Sequence, residues 1–529
     1  MMKEREVVVA KANDWRAGQM QQISIDDSEI LLAKIGDKFY ATSAYCTHYG
    51  APLAKGVLCE HRVVCPWHNA CFDLTNGDLA EPPALDSLPS FPVRIDGDDV
   101  IIRVPETIPD SREEAIVKSE SDIDSRVFIV IGAGAAGTIA VETLRHNGYQ
   151  GAIKMISDEE KLPYDRTKLS KAYLQGGADE DSLALRSCEF YDDNDIELLF
   201  GKAVTKVDVS QKSISFEDDS TLNYDSLLLA TGAKANKLDV SGSDLDNIFT
   251  LHVSQDTTEI LNKVESAKKA VVIGSSFIGM EAASSLRKQG LEVTVVSPDA
   301  VPFAKILGED VGKMFRQLHE DNGVKFYLEN KATEFSGNGK VETVVLDSGD
   351  RIETDLVIVG IGVKPVTDYL EGIELNEKDR SVSVNEYLEA APDVYAAGDI
   401  ARFPYAATGE PTRIEHWRLA AQHGRIAALN MLDEKIKFTH VPFFWSGQYD
   451  LKLRYAGHAE KWDEIIINGD LNAKEFLAFY VKDSKVLAVA GCGRDKDVAA
   501  ITELMRLEKM PEIKSIRDGV LDWVAKLPA

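Results

Sequence analysis

The pattern of hydrophobic and polar positions divides the 529-residue chain into stretches of different character. Over residues 1–104, short Val- and Ile-rich runs alternate with polar positions between Gly and Pro turns, as in 100–104 (VIIRV). This alternation predicts strands, and therefore a small all-β domain. Residues 105–124 are polar and charged, which predicts a linker. A flexible coil of that length reaches roughly 25 Å, enough for the β domain either to dock on the next domain or to swing from it.

Beyond residue 125 the pattern changes to strands that alternate with helices. Residues 126–131 (RVFIVI) predict a buried strand, and a helical stretch over 138–147 and a second strand over 153–156 follow. The sequence GAGAAG (132–137) lies between the first strand and the helix, and Asp158 follows the second strand. This order of strand, glycine turn, helix, second strand and acidic residue predicts a dinucleotide-binding unit of the Rossmann type.

Each glycine of this turn has an expected role. Gly132 allows the tight turn, Gly134 lets the backbone approach a pyrophosphate at the helix N-terminus, and Gly137 permits close packing of helix on strand. Asp158 is expected to accept a hydrogen bond from a ribose hydroxyl.

A second unit of the same kind begins at residues 270–273 (AVVI). GSSFIG (274–279) follows, and then a helix and a strand. Ser276 replaces the middle glycine and Ser297 stands at the acidic position, so the ribose-binding residue is missing or displaced to Asp299. From these residues alone the unit either binds a nicotinamide nucleotide or is a Rossmann unit that binds no nucleotide.

Three further strand-like runs end in small residues, where the backbone can approach a cofactor. They are 226–229 before Ala230-Thr231-Gly232, 356–359 before Gly360-Ile361-Gly362, and 394–396 before Ala397-Gly398-Asp399. In this order the runs are typical of flavoproteins that bind two nucleotides.

Composition indicates an ordinary globular protein, with 44% hydrophobic and 28% charged residues. The 59 basic and 87 acidic side chains give a formal charge of −28, which argues against binding of nucleic acid or of anionic membranes. The sequence has no run of 18 uncharged apolar residues, and its start lacks the apolar core of a signal peptide. Of the six cysteines, four show no disulfide-framework spacing, namely Cys59, Cys71, Cys188 and Cys492. This suits a reducing compartment, so a cytoplasmic location is expected.

Four residues near the N-terminus carry the candidate metal chemistry. Cys46 and His48 form a Cys-x-His motif, and Cys65 and His68 form a Cys-x-x-His motif. Two thiolates and two imidazoles are the ligand set of a Rieske [2Fe–2S] cluster. Tetrahedral zinc also uses two Cys and two His, but its pairs are usually Cys with Cys and His with His. One residue of each kind per loop favours the iron–sulfur cluster.

The stretches YCTHYGAPLAKG and CPWHNACFD resemble the cluster loops of Rieske ferredoxins, and the resemblance extends from about residue 8 to residue 104. It implies that Cys46 and Cys65 bind one iron and that His48 and His68 bind the other.

Four positions depart from the pattern of high-potential Rieske proteins. Ala51 and Trp67 stand where those proteins carry a second cysteine pair, and Ala70 and Phe72 stand where they carry Ser and Tyr hydroxyls. Fewer hydrogen bonds to the sulfurs favour the oxidised cluster, so we expect a reduction potential near the low end of the Rieske range, roughly −150 mV.

From about residue 126 to the end, the chain resembles the apoptosis-inducing-factor and dioxygenase ferredoxin-reductase branch of the pyridine-nucleotide flavoproteins. The matching stretches are LPYDRTKLSKAYL, GSSFIGMEAA, VYAAGD, IEHWRLAAQHGRIAALNML and VPFFWSGQYDLKLRYAGHAEKWDEIIINGD. The two resemblances imply a multidomain fold, with an all-β Rieske domain, α/β FAD- and NAD-binding Rossmann-like domains and a C-terminal α+β domain. The expected bounds are 1–104 for the Rieske domain, 105–124 for the linker, 125–246 and 367–432 for the FAD-binding domain, 247–366 for the NAD(P)-binding domain and 433–529 for the C-terminal domain.

The resemblance to the reductases also implies which residues bind the cofactors. The expected FAD-binding residues are Gly132, Gly134, Ala135, Ala136, Gly137, Asp158, Arg166, Lys171, Val204, Thr231, Gly232, Asp399, His416 and Trp417. The expected NAD(P)H-binding residues are Gly274, Phe277, Ile278, Gly279, Glu281 and Gly362. Lys171 and Glu281 are expected to pair as catalytic residues beside the reactive edge of the flavin. Phe443 and Phe444 are expected in the core, whereas Trp445 either covers the flavin or belongs to the core.

We therefore expect an oxidoreductase in which NAD(P)H gives a hydride to FAD, and FAD passes single electrons to the Rieske cluster and on to an unidentified acceptor. The alternative is an NAD(H)-responsive redox sensor with low turnover, of the apoptosis-inducing-factor type. The preference for NADH or NADPH stays open, with Lys305 as a candidate partner of a 2′-phosphate. A homodimer is a further expectation, and no nucleic-acid or membrane partner is expected.

Overall fold

The structure is a computed structural model that describes residues 4–114, 116–519 and 521–528. Within these ranges the α-helices are α1 Ala135–His146, α2 Cys188–Asp193, α3 Ser254–Val264, α4 Phe277–Lys288, α5 Ala304–Leu307, α6 Glu309–Asp321, α7 Trp417–Met431, α8 Asp495–Arg506 and α9 Ile513–Arg517. In the described part of the chain, no helix has both the length and the apolar character that crossing a bilayer requires.

The N-terminal domain consists of three small antiparallel sheets, which confirms the all-β expectation. In spatial order their strands are Glu4–Lys11, Asp99–Pro105 and Val93–Asp96; Met20–Ile25, Ser28–Ile35, Lys38–Ser43 and Ser90–Phe91; and Val57–Cys59, Arg62–Val64, Cys71–Asp73 and Leu79–Glu81. Because side chains alternate along a strand, Ile30 and Leu32 pack into one core with Trp15, while Leu31 and Ala33 pack into another with Cys46. The second core supports the loops that carry the candidate metal ligands.

The first α/β domain has a sheet of six strands, of which the inner ones are parallel. In spatial order they are Ile196–Leu199, Ala152–Ile156, Val127–Ile131, Ser226–Leu229, Val394–Ala396 and Glu389–Ala391. Helices α1 and α7 pack on the same side of this sheet in one hydrophobic core. Beside the sheet lie Thr221–Asn223, Ser213–Phe216, Val204–Asp208 and Leu370–Glu371 in one small sheet, and Val382–Ser383, Ala401–Pro404 and Pro411–Thr412 in another.

The second α/β domain repeats the plan with a parallel sheet of five strands. Their spatial order is Ile248–Phe249, Leu356–Val359, Lys269–Ile273, Glu292–Ser297 and Lys325–Leu328. A three-stranded sheet covers one face, formed by Ala332–Ser336, Thr343–Leu346 and Arg351–Glu353. Strands Ala233–Ala235 and Val363–Pro365 pair where the chain passes between the two α/β domains.

The C-terminal domain is an antiparallel sheet of five strands with α8 and α9 on one side, as the α+β expectation requires. The strands, in spatial order, are Phe443–Gln448, Leu451–Gly457, Lys485–Cys492, Glu475–Lys482 and Glu464–Asp470. One face of the strand Phe443–Gln448 points towards the two α/β domains, and the other points towards the N-terminal domain.

The N-terminal domain is docked on the rest of the molecule through a shared hydrophobic core. Val57, Val64 and Cys71 pack in one cluster with Phe443 and Ala456 of the C-terminal sheet, and Val57 and Cys71 are fully buried. Buried apolar area contributes about 25 cal/mol per Å² to such an association. The docking therefore rests on core packing and not only on rim contacts.

The predicted linker is bonded to both domains that it joins. Arg112 forms an isolated β-bridge with Ser87 of the N-terminal domain. Further along, the backbone N–H of Glu120 donates to the carbonyl of Gln150 at 2.8 Å, in the first α/β domain. These contacts place the segment along the surface of the docked molecule, whereas the sequence had left both a docked and a swinging domain open.

Candidate redox site

The four predicted metal ligands meet at the tips of two loops. Cys46 and His48 come after the strand Lys38–Ser43, and Cys65 and His68 come after Arg62–Val64. The Nδ1 atoms of His48 and His68 are 3.1 Å apart. The buried thiols of Cys46 and Cys65 act on each other, which raises the pKa of Cys46 and lowers that of Cys65. The loops thus present one cysteine pair and one histidine pair.

This arrangement fits a binuclear cluster better than a single zinc ion. Two ligands on one tetrahedral metal with bonds of about 2.1 Å lie about 3.4 Å apart, close to the observed 3.1 Å between the imidazole nitrogens. Among the described residues, however, no three His, Cys, Asp or Glu side chains surround one ion position. A zinc site would need all four around one point, whereas a [2Fe–2S] cluster binds two ligands at each iron.

The protonation state of the histidines also fits metal binding. Burial lowers the pKa of His48 to about 4, and burial likewise holds the pKa of His68 well below its usual value. The neutral imidazole that metals bind therefore predominates at physiological pH.

The residues that depart from the high-potential Rieske pattern lie in the core around this site. Ala51, Ala70 and Phe72 are fully buried beside Cys46 and Cys65. None of them has a side-chain hydrogen-bond donor, so they add no hydrogen bond to a cluster sulfur.

A cavity of about 910 Å³ lies between the two α/β domains and the C-terminal domain. It is lined by residues at the C-terminal ends of parallel strands in both α/β domains, where nucleotides bind in such folds. Seventeen of the residues predicted to bind FAD or NAD(P)H line it: Gly132, Gly134, Ala135, Ala136, Asp158, Arg166, Lys171, Val204, Thr231, Gly232, Phe277, Ile278, Glu281, Gly362, Asp399, His416 and Trp417. The predicted residues are therefore gathered in one cleft.

The other three residues predicted to bind cofactors do not line the cavity. They are Gly137, Gly274 and Gly279, and they lie behind its wall. A Cβ on Gly137 would lie 1.9 Å from the carbonyl oxygen of Gly132. One on Gly279 would lie 2.3 Å from the carbonyl oxygen of Gly274. The structure gives these glycines a packing role, in which they let a helix approach the strand that precedes it.

The first glycine turn has the geometry that a pyrophosphate needs. Gly132 has a φ of +115°, which side-chain-bearing residues rarely adopt. A Cβ on Gly134 would meet no atom of the described residues within 4 Å, and Gly134 lines the cavity. Open space therefore lies next to the N-terminus of α1, where an anionic phosphate is stabilised by backbone N–H groups.

The second glycine turn keeps the fold of the first but differs in chemistry. Gly274 has a φ of +109°, and Ser275 bonds to Ser297 through their hydroxyls at 2.7 Å, both side chains being buried. Ser297 is thus directed at the turn and not at a ribose. Asp299 forms an ion pair with Lys305 at 3.0 Å, and Lys305 lines the cavity. The two residues noted in the sequence as candidate ribose and 2′-phosphate partners are therefore paired with each other.

Lys171 and Glu281 form an ion pair in the cavity wall at 2.8 Å. Lys171 lies at a kink in the short helical segment Leu169–Tyr173, where its own backbone is non-helical (φ −118°, ψ −105°). Glu281 lies on α4 with its carboxylate almost fully buried. It also accepts hydrogen bonds from the hydroxyls of Ser170 and of Ser446, the latter at 2.7 Å. These bonds fix the carboxylate and, through it, the ammonium group.

Two predicted FAD-binding residues carry buried titratable groups. Burial, with the negative charge of Glu415 adding to it, raises the pKa of Asp399 to about 7. Burial lowers the pKa of His416 to about 3, and the buried Nδ1 of His416 has no hydrogen-bond partner among the residues that the structure describes. Both side chains line the cavity, and the unpartnered Nδ1 of His416 is a polar group that a cofactor there would satisfy.

Trp445 joins this cavity to the candidate metal site. Its side chain lines the cavity, and its ring centroid lies 4.3 Å from that of His68 and 6.0 Å from that of His48. Phe443 is buried in the core as expected, whereas Phe444 lines the cavity and packs on His416 at 4.4 Å. Phe444, also expected in the core, packs against a hydrophobic core and in addition lines the cavity, because its side chain points to the opposite face of the strand from that of Phe443.

A buried polar network holds the two sites together. Glu81 of the N-terminal domain accepts hydrogen bonds from Arg418 at 2.6 Å and from Gln422 at 2.7 Å, both on α7. Arg418 also donates to the backbone carbonyls of Asn69 and Pro82, at 3.2 and 3.0 Å. Asn69 follows the ligand His68, and Arg418 follows Trp417 of the cavity. One arginine therefore links the cluster loop to the cavity wall.

Comparisons with known proteins agree with this organisation. Residues 126–424 match the family described as pyridine nucleotide-disulphide oxidoreductase, residues 5–92 match the Rieske [2Fe-2S] domain, and residues 443–523 match the reductase C-terminal domain. Apoptosis-inducing factor 3 of Mus musculus is 38% identical over 511 residues, which cover 94% of this chain and 84% of that protein. Rhodocoxin reductase of Rhodococcus erythropolis is 33% identical over 385 residues, covering 72% of this chain and 90% of that protein.

Solved structures give the same result for the reductase part. The crystal structure of the covalent putidaredoxin reductase–putidaredoxin complex has a TM-score of 0.72 and 28% identity, and the match covers 76% of this chain and 98% of that one. Fold, site and matches together define an oxidoreductase that carries its own Rieske domain. The chain belongs to the pyridine nucleotide-disulphide oxidoreductase family, and its cofactors are FAD, NAD(P)H and a Rieske [2Fe–2S] cluster.

Sequence reasoning missed several residues of the site. They are Ser170 and Ser446, which bond to Glu281, Tyr369, which bonds to Thr231 at 3.0 Å, and the interdomain pair of Glu81 and Arg418. Ser170, Ser446 and Arg418 lie within stretches that resemble the reductases, but no role was assigned to them there. Tyr369 and Glu81 lie outside those stretches, so only the fold shows what they contact. For the interdomain pair, the available sequence signal was a charged residue, Glu81 or Arg418, within a mostly apolar stretch.

Proposed function

We propose that the protein takes a hydride from NAD(P)H at the flavin and passes electrons one at a time to its own Rieske cluster, which reduces an outside acceptor. FAD supplies the conversion of a two-electron donor into one-electron steps, and the cluster supplies a one-electron carrier. The contact between Trp445 and His68 carries the proposal, because one aromatic ring touches both a cluster ligand and the flavin cavity.

The chain contributes position and electrostatics to this reaction. We assign FAD to the first glycine turn and to Asp399, and the nicotinamide nucleotide to the second turn with Phe277 and Ile278. Lys171 places a positive charge in the cavity wall, where it favours the anionic reduced flavin. Glu281 holds Lys171 at 2.8 Å and is itself held by Ser446. Ser446 is adjacent to Trp445, so one strand supports both the ion pair and the aromatic contact.

The fused domain replaces a diffusing ferredoxin. A domain docked on the same chain raises the effective concentration of the electron acceptor to a level that an independent partner does not reach. The shared core around Val57 and Phe443 keeps the N-terminal domain against the cavity wall. Electron transfer then needs no association step.

An anaerobic titration of the cluster-loaded protein tests the pathway. We expect NADH or NADPH to bleach the flavin, after which the EPR signal of the reduced Rieske cluster appears. Bleaching of the flavin while the cluster stays oxidised would contradict the pathway and would favour the redox-sensor alternative. Running both nucleotides under identical conditions also identifies the preferred donor.

The order of carriers is tested by His68→Ala. Loss of an iron ligand removes the cluster, and we expect flavin reduction to proceed while reduction of cytochrome c is lost. Cytochrome c is the chosen probe because a protein of that size cannot enter the flavin cavity. Normal cytochrome c reduction by a variant shown to lack the cluster would overturn the proposed order.

A further inference from the structure

Arg454 is a buried cation that the protein itself satisfies only in part. It lies on the strand Leu451–Gly457 of the C-terminal domain, and its side chain is 3% exposed. One of its Nη atoms donates to Asp495 at 3.3 Å, while its buried Nε has no hydrogen-bond partner within the described part of the chain. A buried charged donor without a partner is costly. The unused N–H therefore indicates an acceptor that protein side chains do not supply.

The register of the C-terminal sheet directs Arg454 at the cluster loops. Arg454 lies directly opposite Trp445 on the neighbouring antiparallel strand, and opposite residues project from the same face. The Trp445 ring lies 4.3 Å from His68 on that face. Lys452, two positions before Arg454 and on the same face, has its ammonium 5.3 Å from the ring centroid of Trp67. This face therefore confronts the loop from Cys65 to His68.

Arg454 places a buried positive charge on the face that confronts the loop carrying Cys65 and His68. Arginine stays protonated even when buried, so this charge is permanent.

We propose that Arg454 tunes the Rieske cluster from outside the Rieske domain, raising its reduction potential with a buried positive charge supplied by the C-terminal domain. An electron added to the cluster adds negative charge, which a nearby cation stabilises strongly where solvent screening is weak. The arginine offsets the hydroxyls that are missing at Ala70 and Phe72. This inference rests on the proposed function, because it assigns Arg454 a role towards the cluster that receives electrons from the flavin.

The test is the midpoint potential of the cluster, measured by EPR-monitored redox titration of the intact protein. For Arg454→Met we expect the ratio of reduced to oxidised cluster at a fixed potential to fall at least about tenfold, which equals about 59 mV for a one-electron couple. Arg454→Lys keeps the charge and is expected to retain most of the wild-type potential. Asp495→Asn leaves the arginine uncompensated and is expected to raise the potential.

Lys452→Met provides a matched control. It removes a cation from the same strand and the same face, but Lys452 is exposed, so solvent and salt screen its charge. We expect its cluster potential to stay close to that of the wild type. The flavin content and circular dichroism of every variant report whether the fold is intact.

Equal potentials for Arg454→Met and Lys452→Met would overturn the inference, as would a lowered potential for Asp495→Asn. Should Arg454→Met fold poorly, the opposite shift in Asp495→Asn decides the question by itself. Cluster reduction by NADH, recorded on the same samples, keeps this test separate from that of the proposed function. Normal electron arrival with an unchanged potential contradicts only the role of Arg454, whereas a cluster that NADH never reduces contradicts the pathway.

Discussion

At the scale of single residues, the site combines charges that are held rigidly with a few unpaired groups that face the cofactors. The pair of Lys171 and Glu281 shows the first kind, since the carboxylate accepts bonds from Ser170, Lys171 and Ser446 at once. Preorganised charges of this kind contribute to catalysis because they need no rearrangement during the reaction. His416 shows the second kind, with a buried nitrogen that has no hydrogen-bond partner among the described residues.

Glu281→Gln tests the ion pair while keeping the shape of the side chain. The variant removes the charge that holds Lys171, so we expect the rate of flavin reduction by NADH to fall about tenfold to a hundredfold, or about 1.4–2.7 kcal/mol in barrier. Anaerobic stopped-flow absorbance measures this step directly, before any electron reaches the cluster.

Glu353→Gln is the matched control for this variant. Glu353 pairs with Lys269 at the same 2.8 Å, but its side chain is 79% exposed. Exposed ion pairs contribute little, so flavin reduction is expected to stay at the wild-type rate. A Glu281→Gln variant as fast as this control would exclude the ion pair from the reaction.

At the scale of secondary structure, two strand–turn–helix units place the N-termini of α1 and α4 at one cleft. In the first unit Gly132 makes the turn, Gly137 allows the packing of α1, and Gly134 faces open cavity. Three glycines of one motif therefore have separable physical roles. The antiparallel strand Phe443–Gln448 adds a third wall and alternates between two partners, with Phe444 and Ser446 towards the reductase domains and Phe443 towards the N-terminal domain.

We expect Gly134→Ala to weaken FAD binding and Gly137→Ala to lower the stability of the fold. A methyl group at 134 meets no protein atom, so thermal stability of the FAD-free protein should be unchanged while FAD affinity falls about tenfold, or about 1.4 kcal/mol. A methyl group at 137 meets the carbonyl of Gly132 at 1.9 Å, and such overpacking costs about 1–3 kcal/mol of folding free energy. Calorimetry of the FAD-free proteins and FAD titration separate the two effects. Equal losses of stability in both variants would contradict the assignment.

At the scale of the whole molecule, the N-terminal domain is a fixed part of the reductase. Burial opposes ionisation of Glu81, yet the charges of Arg418 and Arg62 outweigh it and hold the pKa of Glu81 well below its usual range. The folded protein thus keeps this interdomain carboxylate ionised. The shared core of Val57, Val64 and Phe443 adds apolar packing to the same interface.

Glu81→Gln is expected to loosen the docked domain. Removing one partner of a buried charge network costs about 3–5 kcal/mol, so amide hydrogen exchange in the strands from Val57 to Glu81 should accelerate at neutral pH. Because the folded pKa of Glu81 is depressed, its stabilisation is fully present above the ordinary glutamate pKa and is lost as pH falls below about 4.3. The difference in exchange between wild type and variant should therefore shrink below that pH. A difference independent of pH would contradict the role of the Glu81 charge.

Local chemistry was predictable from the sequence because it depends on residues close together in the chain. Cys46 and His48, Cys65 and His68, and the glycine turn at 132–137 all lie within short motifs, and the structure places each group together. The interdomain contacts were not predictable in this way. Arg418 and Asn69 are separated by 349 positions, and no local pattern links them. The expectation of a low cluster potential was drawn from the Rieske loops alone and stays a prediction.

Rapid mixing of the fully loaded protein with NADH under anaerobic conditions tests the central claim most directly. Flavin absorbance and freeze-quench EPR would be followed in one time course, for the wild type and for Trp445→Leu. We predict that flavin bleaching comes first and that the reduced-cluster signal follows at a rate independent of protein concentration, since both carriers belong to one chain. In Trp445→Leu the first phase should be unchanged and the second slower. A cluster signal whose rate rises with protein concentration, or no signal at all, would contradict electron transfer within the molecule.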